Sequence, residues 1–400
     1  MSAKALLKLG MVGGGQGAFI GAVHRAAARL DGETALVCGS FSRDMANSVE
    51  TGEALSLSAD RCYSDYAQML ATETGAGESI GKPDNALECV SIVTPNDSHV
   101  AIAKDAIARG IHVICDKPAG VSLSEVEELA ALLNGSAASY ALTHTYLGYP
   151  MVWQARHIAA QKSFGPVRKV VVNYTQGWLA SQLEKEGSRQ ASWRTDPKRS
   201  GPAGAFGDIG SHAHSLVEFI TNSRMNSLSA RLSSAFADRA LDDDGEARFT
   251  LENGATGTLI ASQICAGDEN TLTIRVYGEN AGLEWHQMEP NTLTERAQGG
   301  LVTVHRAGAD KPLCEEALAR CRLPSGHPEG YLEAFANLYR GFAQAISQGI
   351  TPAQAGIPGI AEALRGMAFL EAAVASSEND GAWTDIKAPS VGPDLKGLLS

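Results

Sequence analysis

The 400-residue chain lacks any apolar run approaching the roughly 20 residues a membrane-crossing helix needs. It also lacks a signal-peptide core: Lys4 and Lys8 stand near the start, but no long apolar segment or cleavage site follows. Both absences predict a protein with no membrane partner. None of the seven cysteines (38, 62, 89, 115, 265, 314 and 321) forms a CxxC pair. Neither a structural zinc nor a disulfide framework is expected, and free thiols in a reducing cytoplasm are the plain reading. There is no basic run, and 33 basic against 45 acidic residues leave a formal charge of −12, which argues against a nucleic-acid partner. Repeats and low-complexity tracts are missing too. The acidic triplet Asp242–Asp243–Asp244 reads as a solvated turn, since three adjacent carboxylates cannot all face one ion.

What is present is an ordinary globular balance, 44% hydrophobic and 20% charged, in a chain long enough for two or three domains. The most informative segment is MVGGGQGAFIG, residues 11–21. It follows the apolar Leu6, Leu7 and Leu9 and leads into a helix-forming stretch, which is the order of a dinucleotide-binding βαβ unit. In that reading Gly13 permits the tight turn, and Gly15 lets a diphosphate approach the backbone. Gln16 and Gly17 complete the loop. Ala18 is small enough for close helix–strand packing, and free N–H groups at the helix start face the phosphates.

The first part of the chain alternates strand and helix. Strands are predicted at 34–39, 87–93, 111–115 and 138–143, with helices through 99–109 and 124–133, the latter capped by Ser124 and Glu127. Such alternation implies a doubly wound parallel sheet of the α/β, Rossmann-like class. Beyond about Pro150 the texture changes to short β-type runs at 168–175, 228–235, 247–251, 256–263, 271–277 and 282–285, joined by Asn, Gly and Asp turns. This predicts a second, α+β domain with a large, mainly antiparallel sheet, and late helices at 328–346 and 360–375. The expected division is a nucleotide-binding domain over 1–148 and a substrate-binding and oligomerisation domain over 149–400.

The end of the second strand reads Cys38-Gly39-Ser40-Phe41-Ser42-Arg43, without a carboxylate until Asp44. An acid there would hold the ribose hydroxyls of NAD, whereas Ser40 and Arg43 suit a 2′-phosphate; Arg43 also fits a plain solvated first turn. NAD(P) is the expected cofactor, leaning to NADP. Two segments at the carboxyl ends of later strands add chemistry: Thr94-Pro95-Asn96-x-x-His99, and Asp116-Lys117-Pro118. Ligands of open α/β sheets sit at those strand ends. A partly desolvated Lys117 loses some preference for its charged form and can exchange protons. Asp208 and His212, four residues apart, would share one face of a helix beginning there, after a glycine-rich loop at 201–207 able to let backbone approach the cofactor. Taken singly, Lys117 also reads as a surface lysine, His212 as a structural histidine, as nearby His214 does, and Asp208 as a helix cap.

Together these segments, with Trp193-Arg194-x-Asp196-Pro197 and Gly207-Asp208-Ile209-Gly210-Ser211-His212, resemble the glucose–fructose oxidoreductase / inositol dehydrogenase / MocA family, almost end to end. Asp116-Lys117-Pro118 departs from the family's Glu-Lys-Pro by one methylene. The resemblance implies an NAD(P)-dependent oxidoreductase acting on a secondary alcohol or ketone of a sugar, cyclitol or related polyol. It implies His212 as general acid/base, Lys117 polarising the substrate oxygen, and Asp208 orienting substrate or supporting the histidine. Trp193 and Arg194 match positions lining the nicotinamide pocket, although an aromatic–cation surface pair is also compatible. Tyr146 and Trp178 are candidate substrate contacts, alongside His144 and Tyr149. His327 and Glu329 are weaker candidates. A homodimer or homotetramer is implied by the same analogy. A non-catalytic cofactor or sugar sensor is the alternative, and it could dispense with Lys117 and His212. A zinc alcohol dehydrogenase is disfavoured because no Cys/His cluster has ligand spacing.

Overall fold

The computed structural model describes residues 6–74, 86–389, 391–392 and 395–399. The chain opens with β1 (Leu7–Gly13), α1 (Phe19–Leu30), β2 (Thr34–Ser40), α2 (Met45–Ala54), α3 (Tyr66–Glu73), β3 (Cys89–Val93), α4 (His99–Ile107), β4 (His112–Cys115), α5 (Leu123–Leu133) and β5 (Tyr140–Leu142). These five strands form one sheet in the order β2-β1-β3-β4-β5, every pair parallel. The order reverses beside β1, so a crevice opens at the carboxyl ends of β1 and β3. β3 (Cys-Val-Ser-Ile-Val) is buried along its whole length, as a central parallel strand covered on both faces must be. An isolated parallel bridge from Gly39 to Cys62 extends the edge beyond β2.

α6 (Pro150–Ala159) then leads to β6 (Lys169–Thr175), the short helices α7 (Arg189–Arg194) and α8 (Pro197–Ser200), α9 (Ser211–Thr221) and a run of strands: β7 (Met225–Ser233), β8 (Asp244–Leu251), β9 (Thr256–Ser262), β10 (Thr271–Tyr277), β11 (Ala281–His286), β12 (Thr292–Ala297) and β13 (Val302–Arg306). α10 (Glu315–Leu318), α11 (Tyr331–Gln348), α12 (Ile360–Glu378) and β14 (Thr384–Asp385) follow. The second sheet has nine strands, β13-β12-β11-β10-β6-β9-β8-β7-β14, antiparallel except for β6 beside β9. β8 and β10 alternate buried and accessible residues, so one face packs on α6, α9 and α12 while the other stays open. The α/β class and both sheet types follow the sequence expectation.

Local corrections have identifiable causes. Helix α5 is capped by Ser122, whose Oγ accepts from Glu125 N–H at 3.3 Å, and not by Ser124. β12, β13 and β14 were not anticipated; β13 exposes Val302 and Val304 and carries no buried alternation to betray it. α11 returns to the first sheet, where Phe335, Tyr339 and Phe342 pack with Leu7, Leu9 and Ala27. Arg322 fastens this return with paired bonds of 2.8 and 2.5 Å to Asp31 at the end of α1. Among the described residues no helix is long and apolar enough to cross a membrane, and all seven cysteines are free thiols.

Candidate active site

A cleft of about 1520 Å³ runs from the glycine turn, past the ends of β3 and β4, to the β6 end of the second sheet. At the turn, Gly13, Gly14 and Gly17 hold φ angles of 86°, 75° and 82°, which L side chains resist. Close helix–strand packing depends on Gly21: a Cβ there would lie 2.3 Å from the Gly14 Cα. That role was expected of Ala18, which stands at the N-cap of α1 and lines the cleft. Gly15 also has a different reason. Its missing Cβ would strike Asn47 Oδ1 at 2.4 Å and the Phe41 carbonyl at 2.8 Å, so protein packing already demands glycine. Gln16, Ser40 and Arg43 line the cleft; Asp44 is committed to capping α2 through Ala46 N–H.

Of the β3-end segment, Thr94, Pro95 and Asn96 line the cleft, but Asn96 spends its amide on the Ser200 carbonyl at 2.8 Å. His99 and Pro118 do not reach the cleft wall. The buried His99 ring sits between the Pro118 carbonyl and the Thr94 carbonyl, each at 2.8 Å, and staples the two strand-end loops together. Both were expected to touch the cofactor; in the structure they brace the loops that reach the cleft. Asp116 Oδ1 accepts from Thr143 Oγ and from the Lys117 N–H, both at 2.9 Å, stiffening the backbone that carries Lys117.

The Lys117 ammonium crosses to the other lobe. Nζ donates to Asp208 Oδ1 at 2.8 Å and to the Asp208 carbonyl at 2.6 Å, leaving one N–H for the cleft. Asp208 Oδ2 accepts from Gln263 at 3.0 Å and faces Arg194 Nε at 3.4 Å. Burial works against the charge on Asp208, but Lys117 and Arg194 outweigh it and hold the carboxyl below its usual range. Asp208 therefore serves Lys117; no hydrogen bond joins it to His212 among the described residues.

The helix expected to carry both residues does form, but its first turn (Phe206–Gly210) is a π-turn, in which Ser211 N–H reaches back five residues to the Phe206 carbonyl. The preceding loop is not a flexible approach to the cofactor. Asp242 clamps it by accepting from Gly204 N–H at 2.7 Å and Phe206 N–H at 2.8 Å. Neighbouring Asp243 is fully buried against Arg239 at 2.7 Å. The supposed solvated acidic turn is thus an internal brace, and burial raises the Asp242 carboxyl to about 6.

His212 lies at the cleft wall, buried, with Nδ1 lacking a hydrogen-bond partner. Its ring is held by packing, 4.8 Å from Tyr146 and 5.6 Å from His144 between ring centres. Burial first, then the nearby Lys117 ammonium and His144, push its pKa well below the ordinary histidine value. The resting imidazole is neutral and fit to accept a proton. His144, behind it, is lowered to about 3 for the same leading reason. His214 stacks on Phe369 away from the cleft, as a structural histidine.

The floor comes from strands that sequence reading did not connect. Tyr174 OH donates to Asn270 Oδ1 at 2.6 Å, Asn270 donates to Tyr146 OH at 3.1 Å, and Gln176 donates to Asn270 Oδ1 at 2.8 Å. Tyr146 lines the cleft as expected, together with Tyr174, Gln176, Asn270, Gln287 and Tyr331. Trp178 does not: its indole N–H is bonded to Gln176 and its ring lies 6.0 Å from the Arg194 guanidinium. Trp193 and Arg194 do line the cleft, and the guanidinium also stacks on Trp193 at 4.2 Å. Tyr149 lies outside the cleft wall, and Glu329 is bound to Arg322 and adjoining backbone. His327 is exposed against the Pro324 carbonyl. Tertiary folding does gather His157, Cys314 and Glu316, whose ligand-type atoms fall within 4.8 Å of one another, outside the cleft.

Residues 7–144 match the model of the oxidoreductase family NAD-binding Rossmann fold, and residues 152–284 that of the GFO/IDH/MocA C-terminal domain. The uncharacterised oxidoreductase YfiI of Bacillus subtilis is 32% identical over 95% of this chain and 97% of its own length. This chain belongs to the Gfo/Idh/MocA oxidoreductases. An oxidoreductase structure from Sinorhizobium meliloti is similar at 40% identity and a TM-score of 0.83, covering 94% of this chain and 99% of that one. An inositol dehydrogenase homologue from Azotobacter vinelandii, solved with NAD+, is similar at 33% identity and a TM-score of 0.89, covering 96% and 98%. The same protein was solved with NADH and myo-inositol, at a TM-score of 0.86. The family model makes this chain's first sheet an NAD-binding domain.

Proposed function

We propose that this Gfo/Idh/MocA oxidoreductase is an NAD(P)-dependent dehydrogenase of a secondary carbinol in a neutral, hydroxyl-rich substrate: a sugar, cyclitol or related polyol. The observation that carries the reading is the meeting of Lys117 from the first lobe with Asp208 from the second, beside the neutral imidazole of His212. A bound nicotinamide supplies the hydride acceptor. Lys117 Nζ donates its remaining N–H to the substrate oxygen and steadies the negative charge that grows there as the proton leaves. His212 takes that proton on the ring nitrogen facing the cleft. Asp208 keeps the ammonium aimed through its carboxylate and its carbonyl. Tyr174, Gln176 and Asn270 offer donors and acceptors to the remaining hydroxyls, which suits a polyol better than an apolar alcohol. The myo-inositol complex of the Azotobacter vinelandii homologue supports a cyclitol as the first class to try.

Ser40 and the exposed Arg43 at the end of β2, with Asp44 engaged in its cap, support acceptance of a 2′-phosphate and hence NADP, with NAD also used. Free thiols support a reducing cytoplasm. Exposed Ile260 and Tyr277 on the open face of the second sheet support a homodimer or homotetramer, which sedimentation velocity would check. The test of the activity is nicotinamide absorbance over a panel of inositols, monosaccharides and anhydro-sugars with each cofactor. Turnover that Lys117→Ala abolishes is the expected result. Binding of both cofactor and polyol without turnover of any member would favour a sensor and overturn the enzymatic reading.

A further inference from the structure

The segment carrying α7 belongs to the second lobe yet lies across the glycine turn of the first. One end is anchored by Arg239, a buried cation paired with Glu184 at 3.0 Å; the other by the bond from Asn96 to the Ser200 carbonyl at 2.8 Å. Between these anchors Arg189 opens α7 and lines the cleft. The turn itself fits a dinucleotide diphosphate. A Cβ built on Gly17 would meet nothing within 4 Å except Arg189 Nη1, at 3.8 Å, so the space above the loop is open and bounded by that guanidinium. Of the other guanidiniums near this part of the cleft, Arg43 stands at the end of β2, and the remaining three are committed. Arg25 donates to the Gly14 carbonyl at 2.7 Å, Arg194 serves Asp208, and Arg199 faces Asp97 at 3.8 Å. Arg189 has no hydrogen-bond or ion-pair partner among the described residues, in a chain of net charge −12.

We infer that Arg189 is a cofactor-binding residue of the second lobe, closing over the dinucleotide diphosphate opposite the start of α1. This rests on the cofactor half of the reading above. The diphosphate then lies between two positive sources, the N–H groups of the first turn of α1 and a planar guanidinium able to bridge phosphate oxygens. Because the two come from different lobes, a bound dinucleotide ties them together, and its departure requires that tie to break.

The diphosphate is common to NADH and NADPH, which makes the test selective. Equilibrium titration and stopped-flow dissociation of both dinucleotides, and titration of ADP-ribose, would compare the wild type with Arg189→Ala and Arg189→Lys. Arg189→Ala is expected to weaken all three ligands by a common factor of about 10, mostly through faster dissociation. Arg189→Lys should recover part of the loss, since it keeps the charge but not the fork. The penalty should shrink at high salt. Unchanged binding by Arg189→Ala while the wild type binds normally overturns this inference alone. So does a loss confined to NADPH, which would move Arg189 to the 2′-phosphate. Failure of the wild type to bind either dinucleotide overturns the cofactor reading and this one with it. Arg189 is exposed, so an unaltered melting temperature of the free variant separates lost contact from lost fold.

Discussion

The two walls of the cleft are built from opposite uses of a β-sheet. The first sheet presents its strand ends: a glycine turn after β1, the Thr94–Asn96 loop after β3, and Asp116–Lys117 after β4. The second presents residues at and just beyond the ends of separate strands: Tyr174 on β6, Gln176 after it, Gln263 after β9 and Asn270 before β10, joined by hydrogen bonds. A strand-end wall is specified by a few consecutive residues whose backbone geometry does the binding. The second wall is specified by residues that only strand pairing makes neighbours. The first wall should therefore govern the cofactor and the second the substrate, and variants can break or sharpen that contrast.

The largest effect is expected where the walls meet. Lys117→Ala should lower kcat by about 10³-fold and also destabilise the fold, because the half-buried Asp208 is left without its nearest cation. Adding Asp208→Asn should restore much of the melting temperature and none of the turnover; recovery of turnover would show that the pair is structural only. His212→Gln should cost about 10²–10⁴-fold in kcat. In the wild type, burial and Lys117 lower the His212 pKa, so the neutral base persists as pH falls through 6.5. The acid limb of kcat/KM for oxidation should lie below that value, and a limb at or above it would contradict the assigned base.

Next comes Gly21→Ala in the first wall. Its Cβ meets backbone at 2.3 Å, so the expected outcome is a loss of about 2–4 kcal/mol in denaturant unfolding together with weaker NADH binding. Asn270→Ala, on the second wall, should raise KM for the polyol by about 10-fold and leave the NADH Kd unchanged; a shift in Kd would blur the division. The smallest effect is expected at Arg43, an exposed residue. Arg43→Ala should lower the preference for NADP over NAD by a few-fold in kcat/KM ratios, since an exposed charge pair contributes only about 1 kcal/mol.

Legibility followed the same division. The glycine turn, the Thr94–Asn96 loop and Asp116–Lys117 could be read in sequence because each is contiguous and its spacing has a local physical reason. His99 was legible as part of a motif but not in its task, since the carbonyls of Thr94 and Pro118 that take up its ring come from two different loops. The acidic triplet was misread for a related reason: three adjacent carboxylates look solvated until Gly204, Phe206 and Arg239 fold against them. Asn270 and Gln263 carried no local signal at all.

From the sequence alone came the parallel sheet, the antiparallel texture of the second half, the glycine turn and the choice of Lys117, Asp208 and His212 as candidates, which the fold brings to one cleft. Hydrophobic period and glycine sterics act within a few residues, so they survive in a linear string. Which cation Asp208 serves, which strands supply the floor and which arginine covers Gly17 were decided only by tertiary structure. Those answers depend on distances between segments tens to hundreds of residues apart, and burial sets the charge states once they meet.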